Sequence, residues 1–295
     1  MPVPQSAGYQ IVRLANGACC VRSLAFDETF HPGVGPAAEA EALYVRQVRL
    51  IEQVRQHSGE FVIWDVGLGA AANALAVLRA TREIPCALRL ISFDFTLEPL
   101  EFALQHRESL GYFHGYESPL ERLLQEHCVS FQCGPQDVQW ELRLSDFPTL
   151  LAQSGAKDLA KPHLVMFDAC SPAKNPGMWT QPLFDNLFRL LDSNRPCIVA
   201  SFSRSTMVRV TLLLAGFFVG VGHAIGDKAE TTIATNTRGA IDELLDPHWL
   251  RRARRSSSAE PLRTPVYRQA PLSPETWEML RNHPQFQSAS ALTSG

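Results

Sequence analysis

Apolar strand-like runs alternate with amphipathic helical segments through the middle of the chain. Residues 61–66 read FVIWDV, an apolar run typical of a buried strand, and residues 72–80 form an Ala- and Leu-rich helical segment. A second apolar run, ALRLISFDF, follows at residues 87–95. Strand, helix and strand in this order predict a parallel sheet joined by crossover helices.

The same alternation continues to about residue 237. We predict helices over Leu97–Leu110, near Pro119–Glu126, over 183–192 and over Thr206–Ala215, and strands over Trp140–Leu144, 163–169 and 197–202. Two further β-rich runs, FFVGVG and ETTIATN, are close enough in sequence to pair antiparallel. We therefore predict a Rossmann-like, doubly wound α/β fold with a seven-stranded sheet and an antiparallel edge strand.

Less regular segments flank this predicted core on both sides. Before it, helical spacing extends over Glu39–Gln56; after it, the chain becomes polar, with RRARRSSS and a short amphipathic stretch at Glu275–Arg281. We expect residues 1–60 to be a lead-in and helix packed on the core. Residues 61–237 are the predicted Rossmann-like domain, and 238–295 a polar arm or tail.

The composition indicates an ordinary folded protein and argues against a metal site. Hydrophobic residues are 45% and charged residues 19% of the chain, as in ordinary folded proteins, and neither a signal peptide nor a bilayer-spanning apolar run is evident. We expect a cytoplasmic protein. Seven scattered cysteines do not suggest disulfides, and Cys128 with Cys133 lacks a second ligand pair, so we predict no metal site.

The strongest local motif is DVGLG at residues 65–69, where the first buried strand ends and a helix begins. Gly67 and Gly69 allow a tight turn and close approach of a ligand, and Asp94 ends the next strand, where an acid can bind ribose hydroxyls. The run GLGAAA also satisfies a dinucleotide pattern, so a nicotinamide-dependent oxidoreductase stays open. Asp65 favours a cofactor with an amino-acid ammonium group, because it would repel a pyrophosphate.

Two later acids follow predicted strands. Asp146 is placed to reach the adenine side of the crevice, although an N-cap role is equally consistent with its position. Asp168 follows the fourth strand and is our catalytic candidate, because an acid there could orient an amine and help remove its proton. In the loop that follows, Lys174 and Asn175 are candidate phosphate or substrate contacts, and Trp179 could stack on a base.

The loop PAKNPGMW at residues 172–179 resembles the signature of the methyltransferase domain of the bacterial tRNA 5-methylaminomethyl-2-thiouridine biosynthesis protein, the MnmC-type family. Similar segments are ISFDFTLEPL, SLAFDETFH and VRVTLLLAGFFV, so the resemblance extends over about residues 23–235. It implies S-adenosylmethionine-dependent methylation of the aminomethyl nitrogen of a modified wobble uridine in tRNA. It also implies that Asp168 contacts the substrate amine, Asp94 the ribose, and Gly67 with Gly69 the cofactor.

The chain departs from this family in several places. The usual E-x-G-F-G-T-G-L-N loop reads DVGLGAAAN, with Ala70 for the threonine and Ala71 for a glycine, and Ala169 and Cys170 follow Asp168. The length leaves no room for the family's flavin-dependent oxidase domain. We therefore expect a stand-alone methyltransferase whose amine is supplied by a separate oxidase. A different RNA position, a small-molecule amine and a decayed, non-catalytic binding protein are the alternatives.

The tRNA expected from this resemblance has weak support in the charge pattern. The formal net charge is -3, which gives no general attraction to polyanions. Phosphate contacts would need a local basic patch, and the dense candidate is the Arg251, Arg252, Arg254 and Arg255 cluster. A solvated tail is an equally good explanation of that cluster.

Overall fold

A computed structural model of the chain describes residues 8–226 and 229–287. The first seven residues of the predicted lead-in and the last eight of the predicted arm therefore lie outside the described residues. The described strands are β1 (Tyr9–Arg13), β2 (Cys19–Ser23), β3 (Glu28–Thr29), β4 (Glu60–Val66), β5 (Ala87–Asp94), β6 (Cys128–Cys133), β7 (Gln136–Leu144), β8 (Leu164–Phe167), β9 (Ile198–Ser201), β10 (Phe218–Gly222) and β11 (Thr231–Thr235).

Eleven α-helices connect and cover these strands in the described residues. They are α1 (Pro36–Ala40), α2 (Leu50–Gln56), α3 (Ala72–Thr81), α4 (Glu98–Gln105), α5 (Arg107–Leu110), α6 (Glu117–Glu126), α7 (Phe147–Ala152), α8 (Gln181–Leu190), α9 (Thr206–Leu214), α10 (Pro247–Arg254) and α11 (Pro274–Arg281). A π-helical stretch, Glu41–Arg46, continues α1.

The central sheet has eight strands in the order β10-β11-β9-β8-β4-β5-β7-β6. Strands β9, β8, β4, β5 and β7 are parallel, and helices on both faces make the doubly wound arrangement that we predicted. The antiparallel pairing of β10 with β11 is also present, with β11 lying between β10 and β9. The Rossmann-like fold class is thus confirmed.

The eighth strand corrects the predicted count of seven. Strand β6 pairs antiparallel with β7 and forms one edge of the sheet. Its residues CVSFQC carry only two large apolar side chains, Val129 and Phe131, at alternate positions. An edge strand does not require a continuous apolar run, because only one of its faces packs on the core.

The predicted helix over Glu39–Gln56 is interrupted. Arg49 has a left-handed backbone, with φ of 53°, at the start of α2. Residues 43, 44, 45, 48 and 50 are all buried, and these positions lie around the whole circumference of a helix rather than along one stripe. The wider π-helical turn and the break at Arg49 allow the segment to bury them all.

Residues 238–287 are packed on the core, although most of their surface is polar. Trp249, Leu250 and Ala253 of α10 and Leu280 of α11 are buried in the same apolar cluster as α8 and α9. The arginine-rich sequence is therefore the exposed side of an amphipathic helix. At the other end of the chain, β1–β3 form a small antiparallel sheet.

Candidate functional site

A cavity of about 690 Å³ opens at the carboxyl ends of the central parallel strands. Strands β5 and β8 lie on either side of β4, so the loops that follow these three strands meet at one edge of the sheet. This is the position at which doubly wound sheets bind ligands. The opposite wall comes from residues 26–32 of the N-terminal region.

The loop after β4 lies against the backbone of the loop after β8. Gly67 has φ of 92°, and a Cβ atom there would lie 2.5 Å from the carbonyl oxygen of Asp168. A side chain would therefore prevent this close approach. The Gly67 amide donates to the Phe93 carbonyl at 2.9 Å, which ties the loop to β5 as well.

Asp94 ends β5 and holds the same glycine loop. Its Oδ2 accepts from the Gly69 amide at 2.9 Å, and its Oδ1 accepts from the Phe95 amide at 2.8 Å. Burial raises the pKa of this carboxyl, and the backbone hydrogen bonds oppose that effect. An ionised carboxylate has about four acceptor positions. Asp94 thus retains acceptor capacity toward the cavity that it lines.

Asp65 is not where we expected it. Its side chain is 0% exposed and it does not line the cavity, which corrects the prediction that it meets a cofactor ammonium group directly. On β4, side chains alternate between the two faces, and residues 61, 63 and 65 point into the layer that contains α3. Ser92 Oγ donates to Asp65 Oδ2 at 2.8 Å, and burial raises the pKa of Asp65 to about 8.

Asp168 follows β8 and faces the cavity, with a side chain 24% exposed. Asn73 Nδ2, in the first turn of α3, donates to its Oδ2 at 2.7 Å. On the other side, His31 Nε2 lies 3.7 Å from the same oxygen. The structure therefore brings Asp168 together with Gly67 and Asp94 at one edge, as predicted, and holds it from two sides.

The loop after Asp168 is fixed against the protein by side chains that the sequence suggested for substrate binding. Trp179 is only 2% exposed but lines the cavity, and its Nε1 donates to the Cys170 carbonyl at 2.7 Å; stacking of the indole on a base stays a prediction. Lys174 Nζ lies 3.6 Å from Asp27 Oδ2 and does not line the cavity. Asn175 does line it.

Asp146 is at the rim of the cavity and caps α7. Its Oδ2 accepts from the Thr149 amide at 3.1 Å and from Thr149 Oγ1 at 2.5 Å. Of the two roles that its position allowed, the structure thus contains the N-cap. The adenine contact stays a prediction, and Asp146 lines the cavity from which that contact would be made.

Comparison with known proteins agrees with this arrangement. Residues 115–237 match the model of a family described as S-adenosyl-L-methionine-dependent methyltransferase. The chain is an S-adenosyl-L-methionine-dependent methyltransferase. This match decides against the nicotinamide-dependent alternative and confirms the predicted cofactor class.

Similar proteins also support the resemblance to the MnmC-type methyltransferase domain. The methyltransferase is 28% identical over 242 residues to the tRNA 5-methylaminomethyl-2-thiouridine biosynthesis bifunctional protein MnmC of Aeromonas hydrophila, covering 78% of the chain and 36% of that protein. It is 28% identical to the protein of the same name from Ralstonia nicotianae, covering 81% and 35%. It thus spans about a third of the length of these relatives.

A solved structure gives the same answer for the fold. The crystal structure of MNMC2 from Aquifex aeolicus superposes with a TM-score of 0.67 at 23% identity, covering 95% of this methyltransferase and 84% of that chain.

In residues 8–226 and 229–287, no helix has the length and apolar character needed to cross a bilayer. The described ranges likewise contain no group of three or more His, Cys, Asp or Glu arranged to hold a metal ion.

The cavity suits S-adenosyl-L-methionine on two observations. A Cβ at position 67 would clash with the Asp168 carbonyl, and the glycine found there leaves backbone rather than a side chain at the floor of the crevice. Asp94 presents a carboxylate at the end of β5, where ribose hydroxyls would find an acceptor. Ala71, in place of the family glycine, keeps the left-handed backbone with φ of 62° despite its methyl group.

Sequence reasoning missed three residues that line the cavity, Glu28, His31 and Asn73, and also missed the buried Glu39 next to His31. Glu28 accepts from the Ser171 amide at 3.0 Å and thereby ties the loop after β8 to the N-terminal sheet. Glu28 and His31 belong to the segment SLAFDETFH, and Asn73 ends the glycine-loop motif, so the resemblance contained a signal for three of them. For Glu39 the sequence contained no signal other than its position in a predicted helix.

Proposed function

We propose that this methyltransferase methylates the nitrogen of the aminomethyl group on a modified wobble uridine in tRNA. The observation that carries the proposal is Asp168, a carboxylate that lines the cavity beside the glycine loop and is oriented by Asn73. A carboxylate is the group that would bind an ammonium or amine, whereas a base oxygen or ring nitrogen needs a donor. The names of the similar proteins support the same substrate.

We assign the remaining residues by position. Gly67, Gly69 and Asp94 would hold the cofactor, with Asp94 on the ribose and Asp146 on the adenine side. When bound, S-adenosyl-L-methionine supplies a methyl group on a positively charged sulfur. Asp168 would bind the amine and orient its lone pair, which is the condition for in-line attack. Asn175 would contact the substrate, while Lys174 and Trp179 would position the loop through Asp27 and Cys170.

Contacts with tRNA outside the cavity are assigned to α10. Arg251, Arg252 and Arg255 are exposed there, and Arg254 lies over the ring of Trp277 at 4.7 Å. A helix face with several fixed cations would neutralise backbone phosphates. We also propose that the aminomethyl group comes from an oxidase activity, since the similar proteins are bifunctional by name.

The test is methyl transfer to tRNA that carries the aminomethyl uridine, compared between wild type, Asp168→Asn and Asp137→Asn. Asp137 is an exposed acid at the start of β7, away from the cavity, and is the matched control. We expect Asp168→Asn to lower turnover by about a hundredfold, the size of effect expected when a reacting group loses its alignment. Titration calorimetry should give similar S-adenosyl-L-methionine affinities for all three proteins. Unchanged turnover in Asp168→Asn would refute the assigned role.

The main rival is a methyltransferase that acts on a small amine or another RNA position. Transfer to small amines but not to the aminomethyl tRNA would select it. Absence of S-adenosyl-L-methionine binding at millimolar concentration would favour a binding protein on a decayed fold, which the alanines of the glycine loop made an alternative.

A further inference from the structure

His31 lies between two carboxylates at the wall of the cavity. Its Nε2 is 3.7 Å from Asp168 Oδ2, and its Nδ1 is 3.8 Å from Glu39 Oε2. The His31 side chain is 12% exposed and lines the cavity, whereas Glu39 is 2% exposed. Each ring nitrogen therefore faces an acceptor, and only the doubly protonated ring can donate toward both.

The backbone fixes this arrangement. His31 has φ of 53°, a left-handed conformation that is uncommon for a residue with a side chain and is enriched at functional sites. Its carbonyl accepts from Cys20 Sγ at 3.4 Å. Glu39 Oε1 accepts from the amides of Gly33 and Val34 at 2.5 and 2.9 Å, which leaves Oε2 toward the ring. The carboxylate that faces Nδ1 is thus held in place before any substrate arrives.

The Asp168 carboxylate is already engaged by a second donor, Asn73. Its Oδ2 already accepts from Asn73 at 2.7 Å, and that bond is strongest to an ionised carboxylate. A primary ammonium group must lose one proton before its nitrogen has a lone pair for methyl transfer. A group beside Asp168 that accepts this proton would let Asp168 stay ionised.

We propose that His31 is this proton acceptor. Asp168 binds the substrate ammonium, the N–H bond breaks with its electrons left on nitrogen, and the proton forms a new bond to the lone pair on Nε2 of the neutral His31 ring, whose Nδ1–H faces Glu39. The resulting imidazolium is stabilised between Asp168 and Glu39. This inference rests on the proposed amine substrate and adds a second catalytic residue to it.

Other titratable groups lie near Asp168 and Glu39. Tyr44, from the π-helical stretch, has a buried hydroxyl without a hydrogen-bond partner in the described residues, and the nearby charges of Asp168, Asp65 and Glu39 add to its burial in raising its pKa. Asp65 lies on β4, Cys20 on β2 and Cys170 after β8. The acids that face the two ring nitrogens are thus Asp168 and Glu39.

The experiment compares wild type with His31→Gln, Glu39→Gln and the surface control His114→Gln. Gln at 31 preserves hydrogen bonding but cannot carry the proton, and Gln at 39 retains an oxygen for the Gly33 and Val34 amides. Single-turnover rates of methyl transfer to the aminomethyl tRNA are measured from about pH 6 to about pH 9.

We expect His31→Gln to lower the rate by about a hundredfold near neutral pH and by progressively less as pH rises, because more of the amine is then already deprotonated. Glu39→Gln should show a smaller loss with the same trend, and His114→Gln none. Melting temperature and S-adenosyl-L-methionine affinity should be unchanged in all three. A loss that is equal at every pH, or no loss, would overturn the proposal.

A second measurement is independent of the acceptor. Ring signals of His31 are followed by NMR against pH in wild type, Glu39→Gln and Asp168→Asn. Movement of the His31 titration to lower pH in both variants supports the proton-holding role even if wild type methylates no tRNA, in which case only the proposed substrate fails. A titration unaffected by either substitution would overturn the role itself.

Discussion

Gly67 has two features that favour glycine: a left-handed backbone and a close approach to the Asp168 carbonyl. Replacing Gly67 by Ala should separate their contributions. Its Cβ would lie 2.5 Å from the Asp168 carbonyl oxygen and 3.2 Å from the carbonyl carbon, and φ is 92°. Carbon–oxygen contacts normally begin at roughly 3.3 Å, so one backbone segment would have to move. Overpacking of this kind costs about 1–3 kcal/mol, and the left-handed backbone adds about 1–2 kcal/mol.

Gly59 is the matched control for this substitution. It has φ of 98°, close to that of Gly67, but nothing lies within 4 Å of the Cβ position. Gly59→Ala should therefore lower the free energy of unfolding by about 1–2 kcal/mol and Gly67→Ala by about 2–5 kcal/mol. Gly59 precedes the amino end of β4, at the opposite end of the strand from the cavity.

Urea denaturation measures the two losses of stability, and calorimetry measures S-adenosyl-L-methionine affinity for each folded variant. We expect Gly67→Ala to weaken cofactor binding, because the glycine loop and the Asp168 backbone are forced apart, and Gly59→Ala to leave affinity unchanged. Equal losses of stability together with equal affinity would refute the argument from close approach.

Two further predictions concern the buried polar groups next to the cavity. Asp65 has a pKa of about 8 in the folded protein against an ordinary 3.8, so the folded state holds its proton more tightly and stability should fall as pH rises between these values, by up to about 1.4 kcal/mol per unit. Asp65→Asn should flatten this slope in urea denaturation at several pH values, and parallel slopes would contradict the assignment. Asn73→Ala removes the donor to Asp168 and should lower turnover by about tenfold or more with little change in cofactor affinity; an effect confined to affinity would contradict an orienting role.

Much of the fold follows from periodicity, but edges and side-chain directions do not. Buried strands such as β4 and β8 could be predicted because each is a short continuous apolar run. Strand β6, with one packed face, differs little from a loop in sequence. The break at Arg49 depends on which of several neighbouring apolar residues the core accepts. These are tertiary effects, so a local pattern does not specify them.

In the candidate site, too, some residues could be placed from the sequence and others could not. Asp94 and Asp168 follow strand ends, and parallel strands necessarily bring their carboxyl ends together. Asp65 is also near a strand end, yet the alternation of β4 turns it away from the cavity. His31 and Glu39 come from a segment whose packing against the sheet edge is long-range. Nothing in their local sequence specifies that His31 lies between Glu39 and Asp168.

The N-terminal sheet has a consequence for how this enzyme could diversify. The glycine loop and Asp94 are encoded within residues 61–94, whereas the facing wall of the cavity comes from residues 26–32. Substitutions in that short stretch could change the acceptor while the cofactor-binding strands stay intact. Exchange of this segment between related chains is therefore a direct route to altered methyl acceptors, and a fragment that starts at residue 61 would lack that wall of the cavity.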